Sequence, residues 1–386
     1  MSYNIAYVIP HADQKRGGAE AYLMGLVRYA LTKGHRVTIL CTSAAGVPDG
    51  ASVKIFPVSG GAARRIQLFW NLLDVFLKNN HFDIVHALDL CPRMNVYNPH
   101  GGDEATWLTQ YLKSKSGLDK WISTFKRKWG ARQKVVFDLE KKQLADKNLK
   151  KIIAISPFVL NSIKNSHGLP SSLFELIPNG IDTSQFSSLP SNKRKELRKK
   201  YGVSESKKLI VFVAHNFALK GLARFIEAVA ELNKMASSHD VEAWVVGTGR
   251  KKNFVPLLKS LGMEGIISFK GRMAYMPEVY NVADLTMAPS YYDACSLSTL
   301  ESLLCGTAVV TTSCNGASFY IEEGVTGAVV EGPDNVLALA KACDDLLKDE
   351  KIKQNHKKAA LSVEKYTQNW NSERVLSVYE GIVNSK

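Results

Sequence analysis

Two acidic residues, Asp293 and Glu301, stand eight positions apart in a segment whose intervening residues are mostly small. If a helix begins near Ser296, Asp293 lies on the loop before it and Glu301 lies in its second turn. Free backbone N–H groups and the positive end of the helix would then stand between two carboxylates. Such a surface suits a sugar joined to a diphosphate and a ribose, because it offers acceptors for hydroxyl groups at both ends and donors for phosphate between them. A capped helix with one solvated acid would show the same pattern.

Lys220 lies in a turn that follows an apolar run and precedes a helical pattern. A cation at the start of a helix is unfavourable, because the helix macrodipole is positive at that end. An anion held between Lys220 and the helix amides would offset this cost, so the position predicts an anion site. His215 begins the same turn. Arg224, one helical turn after Lys220, either adds a second positive group or faces solvent.

Glycine-rich turns follow several other predicted strands. Gly249 ends one strand, and Arg272 with Met273 ends the next, so both turns are expected on the same sheet edge as Lys220. Gly18 follows the first strand and opens a helix, where glycine lets a phosphate or a sugar approach the backbone. Any strand-to-helix turn can use glycine, however. The signature Gly-x-Gly-x-x-Gly is absent, which disfavours a nicotinamide-dependent oxidoreductase.

His100 and Asp103 lie just beyond another predicted strand. In a doubly wound sheet, ligands bind in the crevice at the carboxyl ends of the strands. A histidine there can donate to a sugar hydroxyl or simply belong to the turn. Asp103 and Glu104 are candidates for binding hydroxyl groups of an acceptor, and helix N-capping explains them equally well.

The elements that must position these residues alternate between strands and helices. Short apolar runs predict strands, and amphipathic stretches predict helices. The predicted strands are 4–10, 36–42, 53–58, 83–88, 151–155, 208–214, 241–247, 266–270, 284–289 and 308–312, and the helices include 19–33, 222–234, 251–261 and 370–384. The alternation predicts an α/β fold with two doubly wound, Rossmann-like parallel sheets.

A chain of 386 residues is long enough for two domains. A turn cluster at 178–182, followed by a basic run at 187–200, indicates the boundary. We predict an N-terminal domain over 1–180 and a C-terminal domain over 181–369. The last helix, 370–386, is expected to return to the first domain.

The net charge of +14 predicts an anionic partner, which could be nucleic acid, a phosphorylated substrate or an acidic membrane surface. No apolar run approaches the roughly 20 residues that span a bilayer, and the N-terminus lacks the basic region of a signal peptide. The six cysteines show no Cys-x-x-Cys or zinc-like spacing, and no Asp-x-Asp motif or histidine cluster suggests a metal. We expect reduced thiols, a cytoplasmic location, no cofactor and no metal ion.

A basic stretch, predicted as an insert at about 105–150, carries thirteen Lys and Arg residues between Lys113 and Lys151 against four acids. Apolar residues recur in it at helical spacing, and the candidates for acceptor or membrane contact are Trp121, Phe125, Lys126, Arg127 and Trp129. A basic amphipathic helix with tryptophans is typical of a membrane-surface anchor. A core-packed helix with a solvated basic face fits equally well. Nucleic-acid binding is disfavoured, because the aromatic residues form one apolar stripe rather than a stacking platform.

Several of these motifs occur together in a characteristic order. They are Gly17-Gly18-Ala19-Glu20, Gly34-His35-Arg36-Val37-Thr38, Pro178-Asn179-Gly180-Ile181-Asp182, Lys220-Gly221, Gly247-x-Gly249, Ala283-Asp284, Asp293 with Glu301, Gly306 and Gly324-x-x-Gly327. Over essentially the whole chain, this set resembles the retaining GT-B glycosyltransferases of family four, in which two Rossmann-like domains face a central cleft. The Tyr-Tyr-Asp sequence and the basic insert look most similar to the bacterial lipopolysaccharide core glucosyltransferases.

The resemblance implies a role for each matching residue. Lys220 would neutralise the diphosphate of a nucleotide-sugar donor, Glu301 would hold the ribose, and Asp293 would bind hydroxyls of the transferred sugar. The other implied donor-site residues are Cys295, Ser296 and Leu297 through their backbone N–H groups, and Gly249, Arg272 and Met273 beside the base. Gly18 and His100 would come from the first domain, near the reacting carbon.

Two positions depart from the family pattern. The family usually has glutamate where this chain has Asp293, so the position or identity of the sugar is open. An arginine commonly stands where this chain has His215, so the diphosphate clamp would rely on Lys220 with Arg224 or Arg250. Contact between His215 and phosphate would make donor affinity sensitive to pH.

The resemblance implies transfer of a hexose, glucose, from UDP-glucose with retention of configuration. The acceptor would be a lipid-linked glycan such as the lipopolysaccharide core. Acceptors in this subfamily are lipid-linked and anionic, which favours the membrane interpretation of the basic stretch and a peripheral position on the anionic inner-membrane surface. Two alternatives remain: a non-catalytic membrane- or polyanion-binding protein on the same fold, and a transferase for another cell-surface polysaccharide.

Overall fold

The computed structural model describes residues 2–115, 121, 123, 124, 127, 130–235 and 239–385, apart from the side chains of 353 and 355. The chain divides into two compact units. The first unit comprises Met1–Gly180 with Tyr366–Lys386, and the second comprises Ile181–Lys365. The chain therefore leaves the first unit within the predicted turn cluster and returns to it slightly before the predicted last helix.

The first unit contains a seven-stranded parallel sheet and a small two-stranded one. The strands are β1 (Asn4–Val8), β2 (His11–Asp13), β3 (Arg36–Cys41), β4 (Ser43–Ala45), β5 (Ser52–Ile55), β6 (Ile84–Ala87), β7 (Val96–Tyr97), β8 (Lys151–Ala154) and β9 (Phe174–Leu176). The large sheet has the order β5-β3-β1-β6-β7-β8-β9, and β2 pairs with β4. The strand order reverses between β1 and β6. Their carboxyl ends are therefore the expected binding edge of this unit.

The second unit contains a six-stranded parallel sheet. Its strands are β10 (Lys208–Val213), β11 (Val241–Val246), β12 (Ile267–Gly271), β13 (Leu285–Ala288), β14 (Ala308–Thr312) and β15 (Gly327–Val330). They lie in the order β12-β11-β10-β13-β14-β15. Here the order reverses between β10 and β13. Lys220 follows the first of these two strands and Asp293 follows the second, so both lie at the switch point of the sheet.

Helices accompany the strands in both units. In the first unit they are α1 (Gly18–Thr32), α2 (Ala62–Asn79), α3 (Glu104–Lys113), α4 (Ala131–Leu144) and α5 (Pro157–His167). In the second they are α6 (Ser191–Tyr201), α7 (Leu222–Leu232), α8 (Val255–Ser260), α9 (Met276–Val282), α10 (Leu297–Leu304), α11 (Val336–Leu346) and α12 (Asp349–Val363). The last helix, α13 (Gln368–Asn384), belongs to the first unit.

Burial explains why the strands read as continuous apolar runs. In β10, Ile210 and Phe212 join a buried cluster on one face of the sheet. Leu209 and Val211 join a different cluster that includes Trp244. Parallel strands that are covered on both faces bury successive side chains on alternate sides, so polar alternation is lost. The predicted fold class, two doubly wound parallel sheets, is confirmed.

Candidate functional site

Two loops meet at the carboxyl ends of β10 and β13. Gly221 is the N-cap of α7 with φ at 80°. A Cβ atom at this position would stand 1.9 Å from the carbonyl oxygen of Pro289. Glycine is required both for this left-handed backbone and for so close an approach. The glycine therefore lets the turn that carries Lys220 pack against the loop that leads to Asp293.

Lys220 and Asp293 form an ion pair. The ammonium Nζ of Lys220 lies 2.5 Å from Oδ2 of Asp293, and it donates to the carbonyl oxygen of Tyr292 at 3.1 Å. The two side chains are 26% and 17% exposed, so both reach the surface at this edge. The sequence predicts an anion beside Lys220, and the carboxylate of Asp293 supplies one.

The loop after β14 holds the backbone of Asp293 on both sides. The N–H of Asp293 donates to the carbonyl oxygen of Cys314 at 3.0 Å. The carbonyl oxygen of Asp293 accepts from the N–H of Gly316 at 2.7 Å. These two bonds fix the main chain at Asp293, so its carboxylate can move only by rotation of a short side chain.

Asn315 is fully buried and connects this loop to the start of α10. Its Oδ1 accepts from the N–H of Ala317 at 3.0 Å and from that of Ser296 at 3.3 Å. Its Nδ2 donates to the hydroxyls of Thr299 and Thr311. The N–H of Ser296, which the family resemblance assigns to a ligand, therefore donates to Asn315 in this structure.

Helix α10 begins where the sequence predicts, with Ser296 as N-cap and Leu297 as its first residue. Glu301 lies in the second turn, and one of its carboxylate oxygens accepts from the hydroxyl of Tyr280 at 2.8 Å. Burial raises the pKa of Glu301, and the hydrogen bond from Tyr280 acts in the opposite direction. Cys295 is buried just before the helix.

Arg224 is bound to carboxylates of its own unit. Its Nε donates to the hydroxyl of Tyr291 and to Asp334, both at 3.0 Å. Its Nη1 donates to Glu227 at 2.5 Å. A phosphate group at Arg224 would therefore share the guanidinium with these carboxylates.

The other predicted donor-side residues stand at the ends of β10, β11 and β12. A Cβ atom at Gly249 would lie 2.2 Å from the ring of Phe217, so packing alone requires a glycine there. His215 contacts the hydroxyl of Thr248 at 3.2 Å through Nδ1. Arg272 is exposed, and Met273 packs on the cluster around Trp244. The structure thus brings these residues to one sheet edge, with Lys220, Asp293 and Glu301 at its centre.

A cavity of about 790 Å³ opens in the first unit. Its walls come largely from the loops after β1, β3, β6 and β7, which is the binding edge expected from the strand order. The charged or titratable residues that line it are His11, Arg16, Arg65, Asp89, Tyr97, Glu104, Arg132 and Glu140. Burial raises the pKa of Glu140 to about 7. The cavity therefore offers guanidinium groups and carboxylates to a polar ligand.

His100 lies close to this cavity, since Pro99 and Gly101 on either side of it form part of the wall. Its ring centroid is 4.2 Å from that of Tyr22, and its Nε2 contacts Oδ1 of Asn98 at 3.1 Å. Burial lowers the pKa of His100 to about 3, so the imidazole is neutral at physiological pH. Gly18 is the first residue of α1.

Asp103 is buried and caps α3, accepting from the N–H of Thr106 at 2.8 Å and from the hydroxyl of Ser166 at 3.2 Å. This is the capping alternative. It removes Asp103 from the candidates for acceptor binding. Glu104 lines the cavity instead and accepts from Arg132 and Gln133.

The sequence matches two family descriptions that together span most of the chain. Residues 16–185 match "Glycosyltransferase Family 4". Residues 193–363 match "Glycosyl transferases group 1". The chain belongs to this family of glycosyltransferases. The resemblance seen in the sequence motifs is thereby confirmed.

Individual glycosyltransferases are also similar to this chain in sequence. The glycosyltransferase is 24% identical over 320 residues, 82% of each chain, to lipopolysaccharide glucosyltransferase WaaG of Escherichia coli K12. It is 29% identical over 188 residues, 48% of each chain, to N-acetyl-alpha-D-glucosaminyl L-malate synthase of Bacillus anthracis. The second relative is therefore matched over only about half of its length.

Solved structures show the fold. The crystal structure of WaaG superposes with a TM-score of 0.80 and 21% identity over 98% of this glycosyltransferase and 100% of that chain. Anabaena HepE in complex with UDP-glucose gives a TM-score of 0.72 and 18% identity over 98% and 100%. The fold is accordingly GT-B, as the resemblance implied.

The basic stretch of the glycosyltransferase is described only in part. Trp121 is 70% exposed. The guanidinium of Arg127 lies over the rings of Trp107 and Tyr111, at 5.2 Å and 4.9 Å from their centroids, which is cation–π geometry. The predicted contacts at Phe125, Lys126 and Trp129 lie outside the described residues. None of the described helices has the length and apolarity needed to cross a membrane.

Three polar residues were missed by sequence reasoning. Asn315 follows β14, at the same sheet edge as Lys220 and Asp293, so the rule that located those residues would have found it. Tyr280 and Glu140 lie within helices, and no local signal shows that their polar atoms meet Glu301 and the cavity. Within the described ranges, no group of three or more His, Cys, Asp or Glu residues could hold a metal ion.

Proposed function

We propose that this glycosyltransferase moves glucose from UDP-glucose to a lipid-linked glycan such as the lipopolysaccharide core, with retention of configuration. The observation that carries the proposal is the grouping of Lys220, Asp293 and the start of α10 at the switch point of the second sheet. WaaG is named as a lipopolysaccharide glucosyltransferase, and HepE is described with UDP-glucose bound. Both names support the choice of donor.

Each residue takes one part of the donor. Glu301 binds the ribose hydroxyls, Asp293 binds hydroxyls of the glucose, and Lys220 with the positive end of α10 binds the diphosphate. A nucleotide sugar laid along this edge therefore meets a carboxylate, then positive groups, then a second carboxylate. Gly249, Arg272 and Met273 border the base.

The proposed reaction breaks the bond between the anomeric carbon and the diphosphate through an oxocarbenium-like transition state. Negative charge grows on the departing diphosphate, so the ammonium of Lys220 and the helix N–H groups stabilise the transition state more than the ground state. Asp293 and Glu301 serve opposite ends of the donor, unlike the carboxylate pair of a glycosidase, which flanks one bond. The oxygen of the acceptor hydroxyl then bonds to the anomeric carbon on the face that the phosphate leaves, and the leaving phosphate takes the proton of that hydroxyl.

The acceptor binds the first unit, in the cavity beside His100. Its carboxylates accept hydrogen bonds from sugar hydroxyls, and Arg16 and Arg65 suit anionic groups of a glycan. The basic stretch around Trp121 and Arg127 holds the cytoplasmic enzyme on the anionic inner-membrane surface, where such an acceptor lies.

A donor screen followed by turnover tests the proposal. Thermal shifts are measured across UDP-, GDP- and ADP-sugars, and transfer of labelled glucose to purified lipopolysaccharide core is then followed, with the anomeric configuration read by NMR. UDP-glucose should give the largest shift. Lys220→Ala should reduce turnover by on the order of 10²–10³ while the protein stays folded, and Lys234→Ala, an exposed lysine of the same unit, should not. Equal rates for both variants would reject the site.

A non-catalytic binding protein remains the alternative from another class. It predicts that no nucleotide sugar is bound or consumed, while anionic vesicles still bind. A transferase for another cell-surface polysaccharide would use the donor with a different acceptor, and relatives named as D-inositol 3-phosphate glycosyltransferases show that acceptors vary among similar chains.

A further inference from the structure

Two of the cations expected to bind the diphosphate, Lys220 and Arg224, are already paired with carboxylates of the same unit. Lys220 is paired with Asp293 at 2.5 Å, and Arg224 is paired with Glu227 at 2.5 Å and Asp334 at 3.0 Å. An incoming diphosphate must therefore compete with internal anions. The competition is most direct at Lys220, because its partner Asp293 is also the residue proposed to bind the sugar of the donor.

The geometry around Asp293 leaves this carboxylate few alternatives. Its backbone is fixed by hydrogen bonds with Cys314 and Gly316, and its side chain is 17% exposed. If a diphosphate takes Lys220, the carboxylate loses its counter-charge and stands beside additional negative charge. A largely buried carboxylate in that position is costly unless it receives new hydrogen bonds.

We propose that Asp293 is a specificity-determining residue, which makes the site favour a nucleotide diphosphate that carries a sugar over the nucleotide diphosphate alone. This inference rests on the proposed function of the site. The hydroxyls of the transferred sugar donate to Asp293 and replace the bond it loses to Lys220. The free nucleotide diphosphate offers no such donors, so Asp293 competes with it for Lys220. After transfer, the same competition promotes release of the nucleotide.

Calorimetric titration of the full chain with UDP and with UDP-glucose tests the inference. In the wild type, UDP-glucose should bind more tightly than UDP. Asp293→Asn removes the competing charge, so UDP should bind about tenfold more tightly. The affinity for UDP-glucose should rise less than that for UDP, or fall below its wild-type value, because the amide is a poorer acceptor for sugar hydroxyls. The preference for the sugar-bearing ligand should then shrink or invert.

Two further variants control the result. Asp345→Asn removes the same charge from an exposed pair with Lys348 in the same unit and should change neither affinity. Asp293→Ser repeats the measurement if Asp293→Asn unfolds, as judged by its melting transition. If wild type binds UDP-glucose and neither Asp293 variant tightens UDP, the inference is overturned and the proposed function stands. If wild type binds neither ligand, the proposed donor site is itself rejected.

Discussion

The carboxylate of Glu301 is tuned by a tyrosine that cannot itself reach a ligand. Tyr280 is fully buried, and its hydroxyl donates to Glu301 at 2.8 Å. Burial raises the pKa of Glu301, and this hydrogen bond lowers it. If Glu301 binds the ribose as proposed, Tyr280 acts as a positioning residue, and its hydrogen bond opposes the rise in the pKa of Glu301 that burial causes.

Tyr280→Phe should therefore change the pH dependence of the enzyme. Without the hydroxyl, the pKa of Glu301 rises further, so the acidic limb of the kcat/KM profile should move to higher pH. The donor KM at neutral pH should rise about threefold to tenfold, which corresponds to the roughly 0.7–1.4 kcal/mol of one ordinary hydrogen bond, with a smaller effect on kcat. Ser302→Ala is the matched control. It removes a buried hydroxyl from α10, the helix of Glu301, but this hydroxyl donates to Thr286 and not to Glu301. Coincident pH profiles for Tyr280→Phe and wild type would exclude this role.

At single positions, the sequence identifies residue types better than their partners. It predicts an anion between Lys220 and the helix amides, because a cation at a helix start has an electrostatic cost, and the structure pairs Lys220 with Asp293. That the anion is Asp293 follows from the packing of two distant loops, which no local pattern contains. The two explanations of Asp103 cannot be separated from sequence either, since capping and ligand binding use the same residue type at the same place.

Among the elements, the turn from β10 to α7 has a strict local requirement. Gly221 needs a positive φ and also approaches Pro289 closely. Gly262 has a positive φ of 67°, but a Cβ atom there would meet nothing within 4 Å. Any L-residue pays about 1–2 kcal/mol for such a backbone. Of these two positions, Gly221 has a steric clash in addition to the backbone cost, and Gly262 has none.

Gly221→Ala should consequently lower the free energy of unfolding more than Gly262→Ala does. We expect about 1–2 kcal/mol for Gly262→Ala and at least about 2 kcal/mol more for Gly221→Ala, in line with overpacked sites. Urea denaturation of both variants measures the difference. Equal losses would show that the two loops can separate without cost.

Periodicity predicts strands and helices where they are long enough to show it. The predicted helix at 251–261 is in fact a 3₁₀ turn, Lys251–Asn253, followed by α8. Pro256 lies in the first turn of α8, where its missing N–H and fixed φ favour a helix start. The strands β2, β4, β7 and β9 were missed, because two or three residues are too few for a period to appear. The four-residue strand β15 was also missed, although strands of the same length such as β8 were predicted.

At the scale of the whole molecule, the sequence indicates where the chain divides and which helix returns, but not the contacts that join the two segments. The turn cluster at 178–182 is visible in the sequence. Gly180 is needed because a Cβ atom there would lie 2.6 Å from the carbonyl oxygen of Thr367. Asn371 also donates to the carbonyl oxygen of Pro178 at 2.6 Å. The outgoing and returning segments are thus fastened together by contacts between residues almost two hundred positions apart.

The net charge of +14 raises the question whether membrane binding needs a dedicated surface or only an excess of cations. If the basic stretch is an anchor, Trp121→Ala with Trp129→Ala should weaken binding to vesicles of phosphatidylethanolamine and phosphatidylglycerol by about tenfold, because interfacial tryptophans contribute apolar burial that charge alone cannot replace. Vesicle sedimentation measures the change. Unchanged binding would favour a packed helix with a solvated basic face.

A variant that lowers the net charge but keeps the tryptophans separates the two explanations. Replacing Lys193, Lys195 and Lys199 of α6 with glutamine lowers the net charge by three in the second unit and leaves every tryptophan in place. Near a surface each cation adds on the order of 1 kcal/mol only within a Debye length of the lipid. If the first unit carries the anchor, these three lysines lie on the other unit and their loss should matter little. A decrease as large as that of the tryptophan variant would instead show that the enzyme is held by its overall charge.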